Sequence, residues 1–282
     1  MGMLHKIGKI IRALARAVNE KEIVPVIKYV DKEQLLKGKV ALIIGGSGGI
    51  GSAILESFVK SGAKVIVAGS NEEKLKSVCS KMADTEFVKY LVINVLNVGD
   101  MPNLIQKAVA LFPENRIDIL VNSAGILAQH SFLEISEEEY DRIMDINARG
   151  TFFMTQSMAQ YMIENQIKGH ILNVTSSSAL RPAWTPYQMS KWAVRGFTMG
   201  AADILLPHGI TVNAIAPGPT ATEMLKVKPG DSIHNADALA GRYIMPEEIA
   251  QLATLMVSDV GNMIVGDTFY MTGGSGVVSY HK

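Results

Sequence analysis

Val40-Ala41-Leu42-Ile43-Ile44-Gly45-Gly46-Ser47-Gly48-Gly49-Ile50-Gly51 is the stretch on which the reading of this chain turns. An apolar run ends in a glycine cluster, and Ser52-Ala53-Ile54-Leu55 then opens a helical pattern. A strand without polar alternation is one buried on both faces. A helix that starts directly behind a glycine turn presents unpaired N–H groups and a partial positive charge at its N-terminus. Glycines let the backbone turn sharply and come close to a phosphate, so strand, loop and helix together suit a pyrophosphate. A glycine cluster alone also fits a plain tight turn; the strand–loop–helix setting favours nucleotide binding.

Outward from the loop the alternation repeats. Further apolar runs at 64–68, 87–95, 117–122, 169–174, 210–215 and 267–271 alternate with helical patterns, as βα units on a parallel sheet do. Right-handed crossovers then predict an α/β fold, a doubly wound parallel sheet (Rossmann-like) of about seven strands. Residues 39–282 read as one such domain. Residues 1–38 do not fit the pattern. There Leu4, Ile7, Ile11, Leu14 and Val18 alternate with Lys6, Lys9, Arg12 and Arg16, which predicts a basic amphipathic helix, an N-terminal helical extension. Packing on its own domain or on a second copy is the favoured use. Membrane-surface contact through residues 4–18 and organelle targeting are the less favoured alternatives.

The totals narrow the class. Of 282 residues, 27 are basic and 27 acidic, so net charge gives no reason to expect nucleic acid as a partner. The hydrophobic share of 48% supports a large core. No apolar run approaches the roughly 20 residues that span a bilayer, and charges interrupt every apolar stretch near the start, unlike a secretory signal. The lone Cys79 fits a reducing compartment, and a cytoplasmic location is expected. The six histidines lack metal-ligand spacing, so no metal site is expected.

Tyr187-Gln188-Met189-Ser190-Lys191 sets a phenol and an ammonium one helical turn apart. A free tyrosine, with pKa near 10, transfers protons poorly at neutral pH. A unit charge about 4 Å away at an effective dielectric near 20 contributes about 4 kcal/mol, or roughly 3 pKa units. Lys191, helped by an oxidised nicotinamide, would bring Tyr187 into working range. The pair also occurs by chance on solvated helices, so it needs support from elsewhere. As for the dinucleotide, NAD binders usually carry an acidic residue about 20 positions after the loop. Here Gly69-Ser70-Asn71 ends the second strand and no carboxylate appears until Glu72. Ser47, Ser70 and Asn71 can donate hydrogen bonds to a 2′-phosphate, although no arginine stands by. NADP is favoured over NAD.

Taken in order from about Lys37 to Gly274, these features resemble the short-chain dehydrogenase/reductase family. Gly45, Gly49 and Gly51 look like its Thr-Gly-x-x-x-Gly-x-Gly loop; Asn122-Ser123-Ala124-Gly125 is similar to its Asn-Asn-Ala-Gly, and Asp145-Ile146-Asn147 to its helix-borne asparagine. Asn173-Val174-Thr175-Ser176 looks like the strand ending in the catalytic serine. Tyr187 and Lys191 match Tyr-x-x-x-Lys, and Pro217-Gly218 with Thr222 matches the loop at the nicotinamide end. The resemblance points to 3-oxoacyl-carrier-protein reductases and similar bacterial reductases.

It implies an oxidoreductase that moves a hydride between NAD(P)(H) and a carbonyl or alcohol. In it, Tyr187 is general acid/base, Lys191 lowers the phenol pKa and binds ribose, Ser176 steadies the substrate oxygen, and Asn147 holds a water reaching Lys191. It places Gly45, Ser47, Gly49, Ile50, Gly51, Ser70, Asn71, Asn94, Asn122, Ala124, Gly125, Tyr187, Lys191, Pro217, Gly218 and Thr222 along the cofactor, and implies a homo-oligomer. Alternatives stand beside several of these: Asn147 satisfying buried backbone, Ser177 or Ser178 pointing inward in place of Ser176, and Thr222 capping a helix. Four departures are visible. Ile44 replaces the threonine that ties the loop to a neighbouring strand, Ser123 replaces an asparagine, Thr272 stands where aspartate is common, and the serine-to-tyrosine interval is about two residues short. A dinucleotide-binding module without catalysis is the alternative reading of the whole. The substrate stays open: Met224, Leu225, Ile233 and Leu239 suggest an apolar lid, and Trp184 a cleft wall.

Overall fold

The computed structural model describes residues 34–82, 85–228, 230–236 and 238–278. The helix expected over residues 4–18 lies outside the described residues, as does most of the 1–38 extension.

Seven strands form one sheet: β1 Val40–Ile44, β2 Lys64–Gly69, β3 Val88–Val92, β4 Ile119–Asn122, β5 His170–Val174, β6 Thr211–Pro217 and β7 Thr268–Met271. Their order is β3-β2-β1-β4-β5-β6-β7, with every pairing parallel. The winding reverses between β1 and β4, the switch point outside which ligands bind in open α/β sheets. The helices are α1 Gly49–Lys60, α2 Glu72–Ser80, α3 Met101–Val109, α4 Glu137–Met144, α5 Gly150–Glu164, α6 Pro186–Leu205 and α7 Pro246–Met256. They cover both faces of the sheet, so β1, β4, β5 and β6 are buried along their whole length. One apolar cluster packs β1 side chains Val40, Leu42 and Ile44 with α3 and α5. The other packs Ala41 and Ile43 with α1 and α7.

Differences from the expected bounds have local causes. β3 stops at Val92 instead of 95 because Asn94 Oδ1 accepts from Leu96 N at 3.1 Å and turns the chain. β6 runs on to Pro217, which a sheet tolerates at a strand end. Among its described residues the segment 224–240 carries only the end of a 3-10 turn, Glu223–Leu225, and one isolated bridge, His234 with Arg242, with Ile233 buried but Met224 half exposed.

Where the central strands end, a buried amide chain joins sheet to helices. Asn122 Nδ2 donates to Thr155 Oγ1 at 3.0 Å and to Asn173 Oδ1 at 2.9 Å, and Asn173 Nδ2 donates to Thr198 Oγ1 at 3.0 Å. Asn122 and Asn173 are register partners on β4 and β5. Asn173→Ala would take one buried partner from each of Asn122 and Thr198 and is expected to cost about 2 to 3 kcal/mol of stability in urea unfolding.

Candidate active site

The glycine loop is shaped first by packing. Gly45, at φ +78°, lies so close to the Asn122–Gly125 turn that a Cβ there would meet Ala124 N at 2.5 Å. A Cβ on Gly51 would strike the Gly45 carbonyl, and one on Gly49 would lie 2.5 Å from Thr222 Cγ2. Loop, β4 turn and Thr222 therefore touch. The tie lost with threonine at Ile44 is carried by backbone: Gly45 N and Gly46 N both donate to Ala68 O, at 2.8 and 3.2 Å.

Whether this cradle fits a pyrophosphate is tested by its helix. At the N-termini of α2, α4 and α6 the side chains of Asn71, Ser136 and Thr185 accept from the first turn. Gly48 offers α1 no such cap, and the first turn of α1 carries no acid. Its opening N–H groups are left for an anion, with Gly48 and Gly49 exposed. The residues fit the group.

Across the switch point the side chains of α6 are set by its start. A capping box pairs Thr185 and Gln188, and Pro186 takes the first helical position, so Tyr187 sits in the first turn and Lys191 one turn on. Lys191 is buried, at 6% exposure, and its Nζ donates to Val174 O at 3.0 Å at the end of β5. Thr175 Oγ1 donates to Lys191 O at 2.8 Å, pinning the helix to the same strand end. A Cβ on Gly125 would lie 3.4 Å from Lys191 Nζ and 3.3 Å from Asn147 Oδ1, so all three residues meet there.

Asn147 lies in a π-helical turn, Asp145–Arg149, between α4 and α5, a geometry common at functional sites. Both ends of its side chain are engaged: Oδ1 accepts from Ile126 N at 2.9 Å, with its second lone pair free of any donor among the described residues, and Nδ2 donates to Ile126 O at 3.0 Å and Ser190 Oγ at 3.1 Å. The side chain thus satisfies buried backbone, the alternative the sequence had left open. Ser176, nearly buried, hydrogen-bonds the Tyr187 phenol and caps its own loop by accepting from Ser178 N.

Electrostatics depart from the simple pair argument. Burial pushes the Tyr187 phenol up, and what opposes this is the Ser176 hydrogen bond. Lys191 Nζ stands 5.7 Å from the phenol ring centre, because the Val174 carbonyl draws it to the strand end. Burial holds the Lys191 ammonium down at about 8.

The remaining candidates divide. Ser47, Ile50, Ala124 and Gly218 border the cradle or the end of β6; Gly218 N donates to Met271 O at 2.9 Å. Ser70 and Asn71 are exposed at the end of β2. Glu72 there is engaged by Lys76 at 2.9 Å and by the Tyr90 hydroxyl at 3.2 Å. Asn94 is exposed, and its carbonyl is spent on Leu96. The Asn122 side chain turns into the core. Thr222 caps a 3-10 turn through its backbone, with no side-chain cap bond. A cavity of about 970 Å³ runs from Ser47 and Gly49 along α1 to Lys60 under residues 221–233, and Tyr187 and Lys191 do not line it. Trp184 is 54% exposed and Trp192 42%. The sequence reading missed Thr175, Ser190 and Ile126. Two of these are neighbours of quoted catalytic residues; Ile126 acts through backbone alone and leaves no signal. Among the described residues no group of His, Cys, Asp or Glu could hold a metal ion, and no helix is long and apolar enough to cross a membrane.

Fold and site define a dinucleotide-binding α/β protein with a tyrosine–lysine helix at the switch point. The sequence profile of the short chain dehydrogenase family matches residues 39–232. The chain is 35% identical over 244 residues to the 3-oxoacyl-(acyl-carrier-protein) reductase FabG of Rickettsia felis, covering 85% of this chain and 97% of that one. The structure of 3-ketoacyl-(acyl-carrier-protein) reductase from Brucella melitensis complexed with NADH aligns with TM-score 0.77 at 27% identity, over 86% of this chain and 100% of that one. A variant of actinorhodin polyketide ketoreductase with NADPH aligns with TM-score 0.77 at 26% identity, over 85% and 98%. The chain belongs to the short chain dehydrogenase family, and it is an NAD(P)-dependent oxidoreductase.

Two outcomes are expected here. Gly51→Ala, which drives a methyl into the Gly45 carbonyl, should weaken NADPH binding by at least about tenfold in a fluorescence titration. The second concerns Lys191, whose folded-state value near 8 lies below its ordinary 10.5. The unfolded chain therefore binds more protons between those values, and stability rises with pH there. Relative to Lys191→Met, the ligand-free wild type should gain about 3 kcal/mol between pH 8 and 10.5 in paired denaturant melts.

Proposed function

We propose that the protein reduces a carbonyl, or oxidises the corresponding alcohol, with Tyr187 as general acid/base. The observation that carries this reading is the meeting of Lys191 and Asn147 at Gly125, with Ser176 against Tyr187 at the start of the same helix, one strand away from the uncapped glycine loop. When bound, the nicotinamide supplies or accepts the hydride. In reduction, the Tyr187 hydroxyl gives its proton to the substrate oxygen, and Ser176 donates a hydrogen bond to that oxygen as charge grows on it. Lys191 holds the ribose and, by its charge, favours the phenolate left behind. Asn147, fixed by Ile126 and Ser190, holds a water through which Lys191 reaches solvent.

The proposed dinucleotide groove runs over Gly45, Ser47, Gly49, Ile50, Gly51, Ser70, Asn71, Asn94, the Asn122–Gly125 turn, Pro217, Gly218 and Thr222. NADP is the proposed cofactor, since the end of β2 offers the exposed Ser70 and Asn71, and its nearest carboxylate, Glu72, is already paired. The names of the relatives make a 3-oxoacyl thioester the first substrate to try. We also propose that residues 39–282 form one catalytic domain in a cytoplasmic homo-oligomer. Apolar side chains exposed on α5 and α6, Phe152 at 41%, Met199 at 59% and Ile204 at 70%, support a second copy packing there.

Tyr187→Phe should lower turnover by at least about a hundredfold, the contribution typical of a general acid, while NADPH fluorescence reports unchanged binding. Near-normal turnover on the carbonyl reduced fastest in a broad panel would exclude this mechanism. Asn71→Asp, which sets a carboxylate at the end of β2, should shift the ratio of NADPH to NADH affinity toward NADH by about tenfold; an unchanged ratio would place the 2′ end elsewhere.

A further inference from the structure

The loop between Ser176 and Tyr187 is short, and much of what holds it comes from elsewhere in the chain. Ser177–Leu180 is a single 3-10 turn with few bonds of its own. Arg195 on α6 donates to Ala179 O at 3.0 Å, and the Trp192 indole donates to Arg181 O at 2.9 Å. The Arg181 side chain then leaves the loop: its Nη2 donates to Ser275 Oγ at 2.5 Å, across 94 residues of sequence. Ser275 is buried, at 7% exposure. The next residue, Gly276, has φ +81°, and a Cβ there would lie 3.1 Å from Arg181 Nε and 3.3 Å from Ser177 O. The arm therefore lies flat against the guanidinium and against the residue that follows Ser176. On its other side a Cβ at Gly274 would lie 3.3 Å from Leu239 Cδ1, so the arm also touches the 224–240 segment.

We propose that Arg181 and Ser275 form a latch through which the C-terminal arm, residues 272–278, positions Ser176 against Tyr187. The proposal rests on the reading of Ser176 as the residue that hydrogen-bonds the substrate oxygen. Arg181 and Ser275 touch no substrate; they are positioning residues. A hydroxyl at position 275 fixes the guanidinium, the guanidinium fixes the end of the 3-10 turn, and the turn fixes the serine at its start.

The test uses the full chain with Ser275→Ala, Ser275→Thr, Arg181→Ala and the double alanine variant. Hydrogen exchange at residues 177–181 should quicken by about tenfold in Ser275→Ala, with the sheet amides unchanged. Turnover of the carbonyl reduced fastest by the wild type should fall by about tenfold, the scale of a small misplacement, while NADPH affinity holds. Ser275→Thr, which keeps the hydroxyl, should restore both. The double variant should be no worse than either single one, as coupled partners behave. In a Ser176→Ala background, Ser275→Ala should cost nothing more. Unchanged exchange at 177–181, additive losses, or an equal loss in the Ser176→Ala background would each overturn the latch. Ser176→Ala as active as the wild type would instead remove the assignment of Ser176, and the positioning role with it, whatever the exchange data show.

Discussion

The site depends on an ammonium that the fold keeps out of water. Taking such a charge from solvent costs several kcal/mol unless polar groups face it, and Lys191 has only a few: the Val174 carbonyl, with the Asn147 amide across Gly125. These neighbours come from β5, the β4 turn and the π-helical turn, and the lysine itself from α6. Four separate elements must be in register before the charge is tolerable. The amide chain through Asn122, Asn173, Thr155 and Thr198 locks β4, β5, α5 and α6 together directly beneath. The ammonium is held near 8 by burial, so its environment is one that an added polar partner, such as a ribose hydroxyl, would relieve.

The phenol lives under the opposite pressure. Burial raises it, and in the protein alone Ser176 is the group that offsets this. Lys191 bonds the strand end and Tyr187 the serine; on the proposed reading a bound dinucleotide brings their charges into one system. On the same reading, control over the serine is control over the acid, and the short 176–181 loop is anchored by Arg195, Trp192 and Arg181.

Much of this was legible in the sequence. The strands announce themselves because a sheet covered on both faces needs unbroken apolar runs, and all seven lie within a few residues of where those runs fall. Tyr187 and Lys191 are legible because helical spacing sets them on one face and the other motifs of the resemblance stand around them in order. What the sequence hides is direction. Asn122 reads as a groove residue and Asn147 as the holder of a water, and nothing in the sequence shows that their side chains also bond Thr155, Asn173, Ser190 and the Ile126 backbone, since a buried amide takes whatever partners packing supplies. The threonine missing at Ile44 reads as a lost tie, yet main-chain bonds to Ala68 make it. Contacts across great sequence separation, Arg181 with Ser275 above all, carry no local pattern.

The most direct measurement is the ionisation of the Tyr187 phenol, followed by NMR of ring-labelled tyrosine in the NADP⁺ complex and assigned with Tyr187→Phe. If the buried ammonium tunes the acid once the dinucleotide is bound, the phenol titrates below its ordinary value near 10 in the wild type and climbs above it in Lys191→Met. A phenol that titrates at the same pH in both proteins would contradict the account.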